Sequence, residues 1–213
     1  MRPGGKGVLH LAAVLGLLAC GVRGQAQTAI PLTWVRDSST YLGNWTGAHL
    51  LTDPASVPPD GVWGWGTQFG NTTRQYTDFC VAGGGIATIT GLRLDSRPAP
   101  NFEDSDPYHF QLRLSLTDDA EESFRVVGSF EARRNAPAIL ADSALHFQDF
   151  TLPQPAQARY LRLYVLDNWG NNYVQARQLR ILGFVSTPAP PAWLVFALPV
   201  PLLLRQLAIR RKT

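Results

Sequence analysis

The sequence predicts an all-β sandwich, and three observations lead to this prediction. From Tyr108 to Leu116, apolar Phe110, Leu112 and Leu114 alternate with polar residues without exception, which is the period of a strand with one buried face. Other short segments rich in β-branched, aromatic and leucine residues are separated by polar turns. No segment sustains the 3.6-residue period of an amphipathic helix. These patterns together favour a sandwich of short strands.

Six segments have the composition of strands, and each is bounded by turn-forming residues. Within them, Leu112, Leu114, Leu161 and Leu163 are predicted to be buried, because each lies on the apolar side of its alternation. The predicted strands span residues 86–94, 108–116, 124–130, 145–152, 160–166 and 176–184.

The stretch 158–184 organises the rest of the chain. Its first part is an apolar run that only Arg162 interrupts, which suits a strand buried on at least one face. The run Asp167-Asn168-Trp169-Gly170-Asn171-Asn172 follows and consists of turn formers around one tryptophan. A second alternating segment then resumes. This polar turn between two strands is the first place where a binding site is expected.

The residues Ala158-Arg159-Tyr160-Leu161-Arg162-Leu163, with a loop and a strand that closes on Gly183, resemble the closing strands of discoidin-like domains. These domains are also called coagulation-factor type C or galactose-binding-like domains. The segments 112–119 and 124–127 are similar to an earlier strand pair of that family. The resemblance covers about residues 45–185 and implies a galactose-binding-like jelly-roll β-sandwich. It does not imply one ligand, because this fold serves many functions.

Residues 1–26 have the order of a secretory signal peptide: a basic start, an apolar segment at 8–20 and small residues for cleavage. The apolar segment is shorter than a membrane-spanning helix, which takes about 20 residues. A second interpretation stays open, because Leu17-Leu18-Ala19-Cys20 resembles a bacterial lipoprotein box in which the cysteine is lipidated. Both interpretations predict export of a domain at 27–185.

Residues 186–191 form a Pro-rich linker, and residues 192–213 form a hydrophobic segment with a basic end. This order resembles PEP-CTERM bacterial sorting tails, with Pro188-Ala189-Pro190 in place of the Pro-Glu-Pro signature. A plain membrane anchor with its basic end in the cytoplasm is the alternative. Both alternatives predict an exported protein of the cell envelope or surface, attached to the membrane through this segment, whether the tail is retained or processed.

The charge of the predicted domain argues against nucleic acid as a partner. Seven of the 19 Lys and Arg residues lie in the two terminal segments, which leaves 12 basic residues against 16 acidic ones in the domain. Nucleic-acid binding domains instead concentrate positive charge. The positive net charge of the whole chain therefore says little about the partner of the domain.

After signal cleavage, Cys80 is the remaining cysteine, so no intrachain disulfide is predicted. Its apolar neighbours predict a buried, inert thiol. Many animal relatives close the discoidin-like domain with a disulfide. The absence of that disulfide favours a bacterial envelope protein.

The sequence contains no recognisable catalytic motif. His49, His109 and His146 are scattered without metal-ligand spacing and are expected to be solvated or at strand edges. Neither a Gly-x-Ser-x-Gly elbow nor a P-loop occurs. The acidic pairs Asp118-Asp119 and Glu121-Glu122 fall in a predicted hairpin turn, where solvation is the expected role. The protein is therefore predicted not to be an enzyme.

The family resemblance also raises the question of calcium. Related lectin-like domains often hold one structural Ca²⁺ with backbone carbonyls, an early Asp and a late Glu. Asp53 or Asp60 would fill the early position, but Gln178 stands where the family often has Glu. Loss of a charged oxygen ligand weakens a calcium site. A structural Ca²⁺ stays an open expectation, and no other cofactor is predicted.

Aromatic and amide side chains in loops are the candidate ligand-binding residues. Sugars have apolar faces and polar edges, so their sites combine aromatic rings with planar hydrogen-bonding groups. Residues of this kind are Trp65, Asn168, Trp169, Asn171 and Asn172. The sequence predicts a non-catalytic carbohydrate-binding module that uses loops at one end of the sandwich. The alternative is a cell-surface adhesion or assembly protein that binds another protein through the same loops.

Both tryptophans of this set have a competing structural interpretation. Trp65 lies between two glycines, and it either joins the core or is presented on a loop. Trp169 either plugs the end of the sandwich or presents a face on which a sugar stacks. Alanine substitution separates the two roles, because removal of a plug lowers stability and removal of a platform lowers binding.

Overall fold

A computed structural model describes residues 27–51, 64–95, 103–134 and 147–185. The predicted signal peptide (1–26), linker (186–191) and C-terminal segment (192–213) lie outside these ranges. The described residues contain short 3₁₀ turns and no α-helix. Their strands are β1 (Thr28–Ala29), β2 (Leu32–Asp37), β3 (Trp65–Gly66), β4 (Gln75–Val81), β5 (Ala87–Asp95), β6 (His109–Ser115), β7 (Arg125–Glu131), β8 (Phe147–Ala158), β9 (Tyr160–Val165), β10 (Gln175–Ala176) and β11 (Gln178–Val185).

The strands form two main sheets that enclose one core. One sheet has the order β1-β11-β5-β8, and the other has the order β2-β4-β9-β6-β7. Strands β3 and β10 form a separate two-stranded ribbon. All of these neighbours pair antiparallel. The prediction of an all-β sandwich is confirmed.

Alternate residues of both sheets fill the core. Leu112, Leu114, Leu161 and Leu163 are at most 4% exposed, which confirms the burial predicted from their alternation. They belong to one cluster with residues of the opposite sheet such as Ile181. Burial of each such side chain contributes about 1.5–3 kcal/mol.

The ends of three strands meet at one end of the sandwich. Val165 at the end of β9 lies opposite Phe110 near the start of β6. Glu131 at the end of β7 lies opposite His109, the first residue of β6. The connections that follow β7 and β9 and precede β6 therefore emerge side by side. We call this end of the molecule the loop end.

Strand β8 extends past its predicted end at residue 152, through Pro153 and Pro155. Its register against β5 shifts so that residues 152–155 bulge away from the ladder opposite Thr90. Proline has no N–H to give to a ladder and is tolerated at such positions. Because β8 is the outermost strand of its sheet, the two prolines lie on an edge.

A buried ion pair joins β4 to β9 on the outer face of the five-stranded sheet. Both side chains, Arg162 and Asp78, are 0% exposed. Arg162 donates from Nε and Nη2 to the two carboxylate oxygens of Asp78, at 2.6 and 2.9 Å. Arg36 of β2 donates to the same carboxylate at 3.0 Å. The pair thus connects three neighbouring strands through side chains as well as through the backbone.

The Arg162 guanidinium is enclosed from several sides. It lies 3.9 Å from the ring centroid of Tyr76 and 4.3 Å from that of Phe124. Its Nη1 donates to Glu121 in the turn between β6 and β7. Burial acts to lower the pKa of Arg162, but the hydrogen bonds to Asp78 and Glu121 outweigh burial and raise that pKa. The guanidinium is therefore a permanent cation inside the protein.

Cys80 is half-buried rather than buried, which corrects the prediction from its apolar neighbours. Phe79 and Val81, on either side in β4, point into the core and are at most 1% exposed. Strand alternation turns Cys80 to the opposite face. The apolar sequence around the thiol reflects its neighbours' burial and not its own.

Trp65 is fully buried, and its prediction as a ligand-binding residue is wrong in this structure. It lies in β3, opposite Ala176 of β10. Gly64 has a φ of +111°, and a Cβ at this position would lie 2.2 Å from the carbonyl oxygen of Ala176. The glycine therefore permits close packing of the ribbon and does not present the tryptophan on a loop.

Replacing Trp65 by alanine is expected to lower the free energy of unfolding by about 3–5 kcal/mol, because a large buried aromatic leaves a cavity. The matched control is Phe69→Ala, since Phe69 is 67% exposed and should change stability by roughly 0.5 kcal/mol or less. Urea unfolding followed by circular dichroism measures both. A Trp65→Ala protein with unchanged stability would make Trp65 a candidate ligand contact again.

Replacing Arg162 by methionine is expected to destabilise the protein by about 3–5 kcal/mol, because Asp78 then stays buried without its main counter-charge. Arg93→Met is the control. Arg93 also donates two hydrogen bonds to one carboxylate, that of Asp149, but the side chains of this pair are 40% and 55% exposed. Exposed pairs contribute about 1 kcal/mol or less. Equal losses of stability in the two variants would show that the buried pair contributes no more to the free energy of unfolding than the exposed pair does.

Candidate functional site

The turn between β9 and β10 is held in shape by Asn168. Its side-chain amide donates to the carbonyl oxygens of Asn171 and Tyr173, at 3.0 and 2.7 Å. Its Oδ1 accepts a hydrogen bond from the backbone N–H of Gly170 at 3.0 Å. Both amide protons are therefore used inside the turn. Asn168, which the sequence predicts as a ligand contact, has a shaping role in this geometry.

The same turn is tied to its neighbours through Asn171 and Asn172. The backbone N–H of Asn171 donates to the carbonyl of Asp104 at 3.2 Å, and Gly70 donates to the carbonyl of Asn172 at 2.6 Å. The side-chain oxygen of Asn171 accepts from the N–H of Asn172. Asn172 is exposed and Asn171 is half-buried. Of the predicted amides, Asn172 is thus the one most open to solvent.

Trp169 begins a row of three rings at the loop end. Its indole lies 3.9 Å from the ring of Tyr108, with the planes tilted by 30°. The Tyr108 ring in turn lies 3.8 Å from the ring of His109. Trp169 is half-buried, so one part of the indole packs against protein and another part faces solvent. This placement combines features of the plug and the platform.

His109 is held by Asp167, the first residue of the turn. Asp167 accepts hydrogen bonds from the backbone N–H of His109 at 2.8 Å and from its ring Nδ1 at 3.0 Å. A carboxylate beside Nδ1 keeps the proton on that nitrogen and leaves Nε2 as the ring atom that contacts other groups. The two side chains are 41% and 43% exposed. The imidazole is therefore oriented and accessible at once.

Tyr108, the middle ring of the row, lies near the carboxylates of Glu131 and Asp167. Desolvation raises the pKa of Tyr108, and the negative charges of Glu131 and Asp167 raise it further. The phenol is therefore neutral and keeps its proton for donation. Along the row of rings, His109 is the group whose orientation a hydrogen bond fixes, through Asp167.

Two adjoining clefts open beside the row of rings and share Glu131. Their floors and walls combine aromatic carbon with carboxylate, imidazole and guanidinium groups. The first has a volume of about 380 Å³ and is lined by His109, Phe110, Ser129, Phe130, Glu131, Leu166 and Asp167. The second is lined by Glu131, Ala132, Arg133, Arg134 and Trp169. A polyhydroxylated ligand finds in such a setting both apolar surface and polar partners.

The sequence predicted Trp169 and the neighbouring asparagines as ligand contacts, but not the residues opposite them. Tyr108, His109, Glu131 and Asp167 were missed as site residues, and His109 was assigned to a strand edge without a ligand role. The feature of the sequence that could have indicated these residues is their position relative to the strands. Each of these residues stands at an end of a strand, and antiparallel pairing of β9 with β6 and of β6 with β7 brings these ends together.

The calcium expectation gains no support from the described ranges. Asp53 and Asp60 lie outside them, and Gln178 is buried in β11. Among the residues that the structure describes, no group of three or more His, Cys, Asp or Glu side chains is placed to hold a metal ion. No helix within these same ranges has the length and hydropathy needed to cross a membrane.

No protein-family model matches the chain, and no curated protein gives a significant match. Solved structures match it in fold, with TM-scores of 0.57, 0.54 and 0.53 at 14%, 15% and 15% identity. They are a fragment of a putative chitobiase from Bacteroides thetaiotaomicron, an F5/8 type C domain from Bacteroides fragilis, and the CBM32-5 module from Clostridium perfringens in complex with GalNAc-β-1,3-galactose.

The matches extend over the whole of these domains. They cover 79%, 74% and 72% of this chain, and 99%, 97% and 99% of the respective neighbours. At identities this low, the structural match establishes the fold alone. The ligand has to be argued from the site. The chain has the discoidin-like, galactose-binding-like β-sandwich fold.

Proposed function

We propose that the domain is a non-catalytic carbohydrate-binding module that holds its ligand at the loop end. The observation that carries this proposal is the row formed by Trp169, Tyr108 and His109 beside the clefts, with His109 oriented by Asp167. Structural neighbours that bind sugars support it, because one was solved with galactose and another with GalNAc-β-1,3-galactose.

The chemistry of the row suits a pyranose ring. The apolar face of the sugar would stack on the exposed part of Trp169, and its hydroxyls would donate to His109 Nε2 and to the carboxylate of Glu131. The imidazole of His109 is already positioned by Asp167. A site that is ordered before the ligand arrives avoids the cost of ordering side chains on binding.

The proposed module is exported and attached at the cell envelope. This part of the proposal is supported by the signal-like residues 1–26 and by the apolar, basic-ended segment 192–213. A tether after residue 185 would leave the domain at the membrane surface.

A second candidate function is adhesion to another protein through the same end of the molecule. It is favoured by two exposed apolar side chains, Leu42 at 79% and Phe69 at 67%. The loops that carry them adjoin the turn after β9, because Tyr41 contacts Tyr173 and Gly70 donates to Asn172. Exposed apolar groups of this kind are common at protein interfaces.

Trp169→Ala is expected to weaken glycan retention by roughly 2 kcal/mol or more, as for aromatic groups at the centre of an interface. His109→Ala should weaken it as well through loss of the oriented imidazole. Val126→Ala, a 51% exposed side chain of β7 away from the loop end, is the control. Affinity electrophoresis of the full chain in gels containing galactose-rich polysaccharides measures the retention.

Thermal melts of the same proteins separate binding from folding. If Trp169→Ala melts like the wild type and still binds every glycan equally well, the assignment of the site is wrong. Adhesion would be favoured instead by a wild-type protein that binds no glycan but binds a surface protein. In that case neither Leu42→Ser nor Phe69→Ser should bind the surface protein.

A further inference from the structure

Strand β11 ends at the end of the sandwich opposite the loop end. Its last residue, Val185, lies opposite Ala87 of β5, and Ala87 lies opposite Ala158 at the end of β8. One residue separates Ala158 from the start of β9. Because β9 runs from there to the loop end, Val185 lies at the far end from the candidate site. We call the end that contains Val185 the tether end.

The length of β9 and its continuation sets the distance between the two ends. The seven steps from Tyr160 to Asp167 rise by about 23 Å, at about 3.3 Å each. Leu166 and Asp167 still donate to the carbonyl of His109, so the pairing with β6 continues to this point. The turn that carries Trp169 lies beyond it. The candidate site is therefore more than about 20 Å from the tether end.

The linker of the proposed attachment is too short to span this distance above a membrane. Residues 186–191 separate Val185 from the apolar segment that begins at Ala192. A chain extends by at most about 3.6 Å per residue, which limits the seven steps from Val185 to Ala192 to about 25 Å. The headgroup layer between the hydrocarbon core and water takes about 6 Å of this length. At most about 20 Å is left above the membrane surface.

Surface chemistry alone would turn the domain the other way. The loop end carries the exposed apolar side chains of Leu42 and Phe69, which lipid would favour. The turn between β6 and β7, at the tether end, is acidic and would be repelled by anionic lipid; its acidic residues are Asp118, Asp119, Glu121 and Glu122. Contact of the loop end with the anchoring membrane would, however, lift Val185 more than about 20 Å above the surface, beyond the limit of the linker.

We propose that the linker holds the loop end away from the anchoring membrane, so that the site binds sugars on a facing surface or on a free polymer. Sugar headgroups of lipids in the protein's own membrane are then out of reach. The inference rests on the proposed carbohydrate-binding function and membrane attachment, and it adds the source of the sugar. Because the sugar has the same chemistry in either place, geometry decides between the two sources.

The first test measures the height of each end above the membrane. The full chain in liposomes, with Cys20→Ser and Cys80→Ser, carries one fluorescent donor at Ala82→Cys or at Asn172→Cys. Both positions are exposed. Ala82 directly follows β4 at the tether end, and Asn172 belongs to the turn after β9. Energy transfer to an acceptor lipid is expected to be severalfold more efficient from position 82 than from position 172.

The matched control has a longer linker. An insertion of about 20 Gly and Ser residues after Thr187 adds about 25 Å of mean reach. It leaves every residue of the described domain unchanged. The two transfer efficiencies should then become similar, because the loop end can reach the membrane.

The second test offers one sugar from two sources. Liposomes that carry the protein are mixed with liposomes that carry a lactose-headed or a galactan-headed lipid, and light scattering measures their aggregation. The wild type should aggregate the two populations, and Trp169→Ala should not. The same lipid placed in the protein's own liposomes should leave aggregation by the wild type unchanged. It should reduce aggregation by the protein with the longer linker severalfold, because that protein can bind sugar in its own membrane.

The possible failures point to different parts of the proposal. Equal energy transfer from positions 82 and 172 with the natural linker would overturn the inference, as would competition by sugar lipid in the wild type's own membrane. A chain that does not stay in liposomes overturns the proposed attachment together with the inference, and it leaves the carbohydrate function in place. Failure of the wild type to bind either sugar lipid in any arrangement overturns the carbohydrate function.

Discussion

The five-stranded sheet depends on a charge that is kept out of water. Arg162 lies at the centre of β9, and its two-pronged contact with Asp78 links the strands on which the rest of the sheet is built. The contact of Arg162 with Glu121 extends the same network to the turn between β6 and β7. A buried arginine is stable when its donors are satisfied, and here carboxylates and aromatic rings supply the partners. In a domain without a predicted disulfide, this network is the nearest equivalent of a cross-link.

The residues at the loop end are positioned by this sheet. Because β9 and β6 are fixed in register, Asp167 arrives beside His109, and the turn that follows brings Trp169 onto Tyr108. Hydrogen bonds of Asn168 then close the turn on itself. The candidate site is thus built mainly from residues at strand ends, where position is set by the ladder and little freedom remains to be lost on binding.

The sequence was sufficient for the fold, and it predicted Trp169, one ring of the candidate site. Alternation placed Leu112 and Leu163 in the core, because a period of two has a direct physical meaning in a strand. It was insufficient where a side chain's environment depends on a partner far away in the chain. Arg162 interrupts an apolar run in the sequence, whereas its burial depends on Asp78. Trp65 lies between glycines like a loop residue, whereas its ribbon partner is Ala176. The residues opposite Trp169 were missed for the same reason.

The bulge of β8 bears on how copies of this domain would behave when they are held close together on a surface. An outermost strand offers a row of unpaired backbone groups, and neighbouring molecules held at high density readily add their own strands to such a row. Pro153 and Pro155 interrupt it, since neither supplies an N–H and residues 152–155 leave the plane of the sheet. If copies are tethered side by side as proposed, this edge disfavours strand pairing between them. The molecules then stay separate, and their binding sites stay accessible.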